Sequence, residues 1–231
     1  MLKFLPKVQS ISSRAAGFTM IELLIVITIL GILATAVLSA INPIEQINRG
    51  RDTSAKSDAE QLLNATERFN AFQGYYPWQI NTGDAAGVHA IDDTGLIRVS
   101  DDTIAGAFQD ADASPCNVLL KLGALGPVSH LTHDGCSVAS QELKAGYIDR
   151  VGKLPANRAL YAYNRGESGD STYICFVPQS QAFITEAHNR CFTGAVLNAS
   201  PVDIDSDAWN TMCANTVPNA ANGTDPMICL P

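Results

Sequence analysis

Residues 18–41 read FTMIELLIVITILGILATAVLSAI, an uninterrupted apolar stretch that decides how the rest of the chain is organised. These 24 residues contain one charge, the carboxylate of Glu22. As an α-helix the stretch extends over about 36 Å, which exceeds the roughly 30 Å hydrocarbon thickness of a bilayer. It therefore predicts one membrane-spanning helix that crosses with some tilt.

The apolar stretch follows a short leader, residues 1–17, which contains three basic residues and no acidic one. Because positive charge stays on the cytoplasmic side, the leader is predicted to lie inside and the long C-terminal part outside. In an ordinary secretory signal the apolar region precedes the cleavage site. Here the order is reversed, so a cut between Gly17 and Phe18 leaves the apolar helix on the mature protein.

Glu22 is a candidate functional residue, because a carboxylate inside a membrane helix costs several kcal/mol unless it finds a partner. A cut after Gly17 creates a new α-amine on Phe18, one helical turn from Glu22. The amine of one subunit can neutralise Glu22 of its neighbour, which sets the register between adjacent helices. The alternative is that Glu22 only reaches the membrane interface near the start of the helix.

Residues 17–22 (GFTMIE), followed by residues 23–27 (LLIVI), resemble the prepilin-peptidase motif of type IV pilins and type II secretion pseudopilins. The resemblance implies that a membrane aspartyl protease cuts after Gly17 and methylates Phe18, and that Glu22 serves in filament assembly. Many members have a proline where Ser39 stands here. It remains open whether the helix loosens at the family's mid-helix glycine, kinks at the proline just past the apolar stretch, or does both.

The resemblance implies a structural subunit of a type IV pilus-like filament that acts in adhesion, twitching motility or DNA uptake. The alternatives are a pseudopilin of a type II secretion system and a minor pilin or tip adhesin. The implied partners are other copies of the chain, the prepilin peptidase, a membrane assembly platform and, before assembly, the lipid bilayer. The implied locations are the cytoplasmic membrane before assembly and an extracellular filament after it.

The expected fold class is α+β, the pilin fold, in which a long N-terminal helix packs on an antiparallel β-sheet ahead of a disulfide-stapled C-terminal loop region. A single extracytoplasmic domain is predicted over residues 42–231, after the leader (1–17) and the filament-core helix (18–41). Apolar periodicity over residues 53–73 predicts an amphipathic helix, part of one helix from 18 to about 72 that kinks near Pro43. Further predictions are short helices near 103–108, 116–125 and 138–149, strands at 95–99, 159–164, 172–177 and 182–186, and an irregular tail at 198–231.

Six cysteines lie in the C-terminal half of the chain. An even number behind an export signal predicts disulfides, although buried free thiols in a reducing compartment are the alternative. Of the possible pairings we favour the sequential one, because it closes three short loops. The predicted pairs are Cys116–Cys136, Cys175–Cys191 and Cys213–Cys229.

The charge balance gives no general affinity for nucleic acid. The net charge is −8, and removal of the three basic residues of the leader leaves 12 Lys and Arg against 23 Asp and Glu, a net charge of −11. Phosphate backbones are repelled by such a surface. No Ser-His-Asp set, phosphate-binding loop or dinucleotide fingerprint appears, so the chain is not expected to be an enzyme or to need a cofactor.

Asp203, Asp205 and Asp207 have the spacing of the first three ligands of a calcium-binding loop. An EF-hand also requires a glycine and a bidentate glutamate, and alanines stand at both places, Ala208 and Ala214. The three aspartates therefore predict either a looser calcium site or a solvated acidic turn.

Overall fold

The computed structural model describes residues 17–40, 42–79, 96–100, 117–123, 140–166, 169–194, 196–214 and 226–231. The leader residues 1–16, the predicted helix near 103–108 and the pair Cys116–Cys136 lie outside these ranges. The chain divides into two compact units, of which the first ends at Pro43 and the second runs from Ile44 to Pro231.

The first unit contains helix α1, Met20–Ala40, which is apolar around its whole circumference. Its segment Met20–Ser39 has a mean hydropathy of 2.7 and is long enough to cross a membrane. None of that segment is buried in the structure. The predicted apolar helix is therefore present, and its surface is available to lipid or to other helices.

Helix α2, Pro43–Gln73, lies in the second unit from its second residue onward and is amphipathic as predicted. Ala59, Leu62, Ala65 and Phe69 recur at helical spacing and are completely buried. The single kinked helix predicted from residue 18 to about 72 is instead two helices, because α1 ends at Ala40 and α2 begins at Pro43. Proline has no backbone N–H to donate and disfavours helical geometry in the residue before it, so it suits a helix start.

The remaining helices and strands of the second unit are short. The helices are α3 (Val118–Leu122), α4 (Ala145–Gly152), α5 (Gln181–Cys191) and α6 (Ser206–Ala214), with one 3-10 turn at Ala156–Arg158. The strands are β1 (Ile97–Arg98), β2 (Leu160–Tyr163), β3 (Tyr173–Phe176), β4 (Phe192–Thr193), β5 (Val196–Leu197) and β6 (Ile228–Leu230).

A four-stranded antiparallel sheet, in the order β1-β2-β3-β6, forms the centre of the second unit. Side chains of β2 alternate between its faces: Leu160 packs in the cluster that contains the buried face of α2, and Tyr161 in the cluster that contains α6. Both faces of the sheet are therefore covered by helices. The predicted α+β class is confirmed, with an additional helical layer from the tail.

Three sequence predictions are wrong in this region. The strand predicted at 182–186 is part of α5, and the tail predicted to be irregular contains α6 and β6. The helix predicted at 138–149 lies further along, as α4. A distant contact fixes the chain where α5 begins: Asp52 on α2 accepts hydrogen bonds from the backbone N–H groups of Gln179 and Ser180, just ahead of the helix.

The disulfides join Cys175 to Cys229 and Cys191 to Cys213, so the predicted pairs Cys175–Cys191 and Cys213–Cys229 are wrong. Cys175 on β3 lies directly opposite Cys229 on β6 in the strand register. Cys191 ends α5 and therefore meets Cys213 on α6. Two structures that the sequence did not predict, the helix α5 and the strand β6, thus determine the pairing.

Peptide mapping without reduction is expected to recover these two crosslinks. The sequence separations are 54 residues for Cys175–Cys229 and 22 for Cys191–Cys213, and loop-closure entropy then predicts stabilisation of about 4 and about 3 kcal/mol. The double variant Cys175→Ser/Cys229→Ser should therefore lower the thermal midpoint of the full chain more than Cys191→Ser/Cys213→Ser. Recovery of a peptide that links Cys175 to Cys191 would contradict the structure.

Candidate functional site

The start of α1 is closed by a reciprocal pair of hydrogen bonds between Thr19 and Glu22. The backbone N–H of Thr19 donates to Oε2 of Glu22 at 2.8 Å, and the backbone N–H of Glu22 donates to Oγ1 of Thr19 at 3.3 Å. The Thr19 hydroxyl also donates to the same carboxylate oxygen at 2.7 Å. This arrangement is a capping box, with Thr19 before the first helical residue and Glu22 at the third helical position.

Thr19 is the functional candidate that sequence reasoning missed. Its role as a helix cap could have been predicted from the sequence, because Thr-x-x-Glu ahead of an apolar run is the sequence signature of a capping box. The cap gives Glu22 a partner inside its own chain, so its carboxylate has hydrogen bonds before any second subunit is present. Glu22 can therefore start the helix in the monomer and still present a negative charge to a neighbour.

Gly17 and Phe18 lie ahead of the helix in non-helical backbone, and both are exposed. A Cβ atom added at Gly17 meets no atom within 4 Å. The described part of the chain thus leaves room for a larger side chain at this position. A requirement for glycine here would have to come from another molecule that approaches the backbone closely.

The family model described as the prokaryotic N-terminal methylation motif matches residues 12–38, which include Gly17, Phe18, Thr19 and Glu22. The chain carries the signature of the type IV pilin and pseudopilin family. No curated protein and no solved structure matches the chain. The resemblance to this family therefore rests on residues 12–38.

The motif carries several coarse consequences for this pilin-like subunit. The family that carries this motif is structural rather than catalytic, and the motif implies processing by a prepilin peptidase and assembly into pilus-like filaments. With the exposed apolar helix α1, it indicates a membrane-anchored precursor. The individual roles of Gly17, Phe18 and Glu22 remain predictions.

The aspartates singled out as calcium candidates in this pilin-like subunit have protein partners. The hydroxyl of Tyr173 donates to Oδ2 of Asp203 at 2.7 Å, and the hydroxyl of Tyr163 accepts from the backbone N–H of Asp205 at 2.9 Å. Asp207 is exposed in the first turn of α6. Across the described ranges, no three His, Cys, Asp or Glu side chains are grouped to hold a metal ion. The two tyrosines attach the loop before α6 to β2 and β3.

The tyrosine contacts change the titration of the loop. Burial alone would raise the pKa of Asp203, but the hydrogen bond from Tyr173 and further bonds from Ser171 outweigh it and hold the pKa below its ordinary value. Burial raises the pKa of Tyr173 to about 12, and the charge of Asp203 acts in the same direction. Both groups are therefore in their hydrogen-bonding forms at neutral pH.

We expect acid to weaken this loop attachment. A carboxyl whose folded pKa is depressed contributes stability above its unfolded pKa, near 3.9, and loses it as pH falls through the folded value. At pH values below about 4, the thermal midpoint of the full chain in detergent should decrease. Tyr173→Phe should make this decrease smaller. Tyr163→Phe is the matched control, because it removes the neighbouring hydroxyl and leaves the Asp203 contact intact. An unchanged acid response in Tyr173→Phe would contradict this account.

Proposed function

We propose that this chain is the repeating subunit of an extracellular type IV pilus-like filament, made as a membrane precursor and cut between Gly17 and Phe18. The observation that carries the proposal is α1, a fully exposed apolar helix on a chain whose second unit already has its own core. An apolar surface of that size has to be covered. Lipid covers it before assembly, and copies of the same helix cover it afterwards.

Exchange of lipid for protein does not by itself drive assembly, because lipid tails are as apolar as the helix surface. Close packing and polar contacts between helices therefore decide which arrangement forms. Glu22 is the only charged residue of α1. In the filament it pairs with the Phe18 amine of an adjacent copy, and an unpaired carboxylate at any other register is disfavoured.

The size of the domain favours an extracellular filament over a short periplasmic one. The domain has 190 residues, 42–231, which is large for a major pseudopilin of a secretion system. The two disulfides Cys175–Cys229 and Cys191–Cys213 indicate an oxidising compartment, which both locations provide. A pseudopilin and a tip adhesin share the same N-terminus and differ from a major pilin in copy number.

Copy number gives the decisive experiment. Cells are sheared, the released filaments are collected, and their protein is separated by mass. A dominant band of this chain at its processed mass, with Phe18 as the first residue, supports the major pilin. A trace amount in filaments built of another protein would instead assign the chain to the minor pilins.

Gly17→Leu is expected to block maturation. The protease has to approach an extended backbone, whereas the described part of the chain leaves room for the larger side chain at this exposed position. Mass spectrometry of membranes should show an uncut precursor, whereas wild-type membranes contain the processed form. Normal cleavage of Gly17→Leu would contradict the assigned cleavage site.

A further inference from the structure

A cavity of about 300 Å³ lies beside the N-terminal half of α2. Three arginines line it: Arg51 from α2, Arg150 from α4 and Arg158 from the 3-10 turn. Leu154 and Val177 contribute an apolar wall. Beyond the leader the chain has 12 basic residues against 23 acidic ones, so three arginines around one cavity is an unexpected concentration of positive charge.

The acidic residues of the cavity are already engaged. Both carboxylate oxygens of Asp52 accept hydrogen bonds from the start of α5. Asp58 pairs with Nη1 of Arg150 at 2.5 Å. Neither Asp52 nor Asp58 therefore pairs with the guanidinium of Arg51 or Arg158.

Two guanidinium groups remain without a carboxylate partner in the part of the chain that the structure describes. Among the described residues, the exposed side chain of Arg51 donates only to Oδ1 of Asn48, at 3.4 Å, near the limit for a hydrogen bond. Arg158 is half-buried, and its guanidinium makes no hydrogen bond or ion pair with the described residues. Guanidinium groups bind carboxylates through two parallel hydrogen bonds, so this cavity is chemically suited to a carboxylate.

From this geometry we infer that the cavity is a binding site for a carboxylate side chain of a neighbouring copy of this chain. The inference rests on the proposed filament, and it names a contact between subunits in addition to their apolar helices. Charge complementarity supports that occupant, because each copy carries a net charge of −11 after loss of the leader. Filament assembly also brings copies to a high local concentration.

A nucleic acid is a poorer occupant. A phosphate backbone is bound by a continuous stripe of basic residues, whereas these arginines line a single cavity. The apolar wall suits a side chain of a protein better than a phosphate. Duplex DNA is therefore retained only as an outcome of the test.

The test compares the double variant Arg51→Gln/Arg158→Gln with the control Arg49→Gln in full-length, processed protein. Arg49 lies on the same helix outside the cavity and pairs with Glu45. Loss of one charge pair at each interface should reduce sheared filament yield at least tenfold, roughly 1.4 kcal/mol per contact, and filaments that form should dissociate at lower salt. The control should resemble wild type in both measurements.

Thermal unfolding of the same proteins in detergent excludes misfolding as the cause. An unchanged midpoint with lost filaments supports the inference, and partial recovery in Arg51→Lys/Arg158→Lys supports it further. Wild-type filament yield and salt resistance in the Gln variant would overturn it and leave the proposed filament standing. Retained filaments with loss of duplex DNA binding would overturn it in favour of a nucleic acid. Absence of filaments in wild type would overturn the proposed function and this inference together.

Discussion

Glu22→Ala is expected to be cut and methylated normally, yet to give no filaments. The cut site precedes the substitution, and the apolar helix remains long enough to cross the membrane. What is lost is the only charge on α1 that can pair with the Phe18 amine of an adjacent copy. Without that pair, each amine that leaves the membrane interface is buried unneutralised, at a cost of several kcal/mol.

Two further variants separate the charge of Glu22 from its role in the helix cap. Glu22→Gln can still accept the Thr19 N–H, because glutamine also serves at this position of a capping box, but it carries no charge. Thr19→Ala keeps the charge and removes the capping hydroxyl, at a cost of about 1 kcal/mol. We expect Glu22→Gln to fail as Glu22→Ala does, and Thr19→Ala to assemble at reduced yield.

Quantification of sheared filaments by gel, alongside N-terminal sequencing of the membrane fraction, checks these expectations. Normal filaments from Glu22→Ala would reject the register argument. Normal filaments from Glu22→Gln together with none from Thr19→Ala would assign the site to helix capping instead.

Asp52→Ala should destabilise the second unit by roughly 3–5 kcal/mol. Asp52 is 1% exposed on α2. Its carboxylate accepts from the backbone N–H of Ser180 at 2.7 Å, from the Ser180 hydroxyl at 2.6 Å and from the backbone N–H of Gln179 at 2.9 Å. Alanine leaves these buried donors unsatisfied and removes a negative charge from the positive end of the α5 dipole.

Urea unfolding of the full chain in detergent, followed by tryptophan fluorescence, measures this loss. Asp52→Asn retains one acceptor oxygen and should lie between wild type and Asp52→Ala. Glu45→Ala is the matched control, because Glu45 also accepts from the start of α5, through the N–H of Gln181 at 3.1 Å, but at an exposed contact. It should cost about 1 kcal/mol or less. A loss of under about 1 kcal/mol for Asp52→Ala would contradict the assigned role of Asp52 in holding the chain ahead of α5.

The same contacts bear on where the N-terminal helices loosen during assembly. Glu45, Asn48 and Asp52 lie on one face of α2, and all three contact the segment from Gln179 to Gln181. Loosening of α2 beyond Glu45 therefore breaks tertiary hydrogen bonds. We expect any loss of helix on assembly to occur before Glu45, where Gly31 and Pro43 stand.

Local patterns in the sequence were sufficient to predict the apolar helix, the buried face of α2 and the strands β2 and β3. Each depends on a period or a composition that can be read within about ten residues. Residues 173–176, YICF, have strong β propensity and form β3. The Thr19–Glu22 cap was equally local and could have been predicted.

The wrong predictions depend on contacts between distant residues. Residues 182–186 have a composition that also suits a strand, but they form part of α5, and the chain just ahead of that helix is held by Asp52, 128 residues before Ser180. The strand β6 pairs with β3 across a separation of 54 residues at the cysteines. The cavity arginines come from three separate elements, and no spacing in the sequence associates them.

The order of the disulfides along the chain has a consequence for durability. The ring closed by Cys191 and Cys213 lies entirely within the larger ring closed by Cys175 and Cys229. A protease that cuts the backbone once between Cys175 and Cys229 cannot release either fragment, since the outer crosslink still joins them. A subunit nicked in this region remains one covalent molecule, so the proposed filament would not lose a fragment to a single cut there.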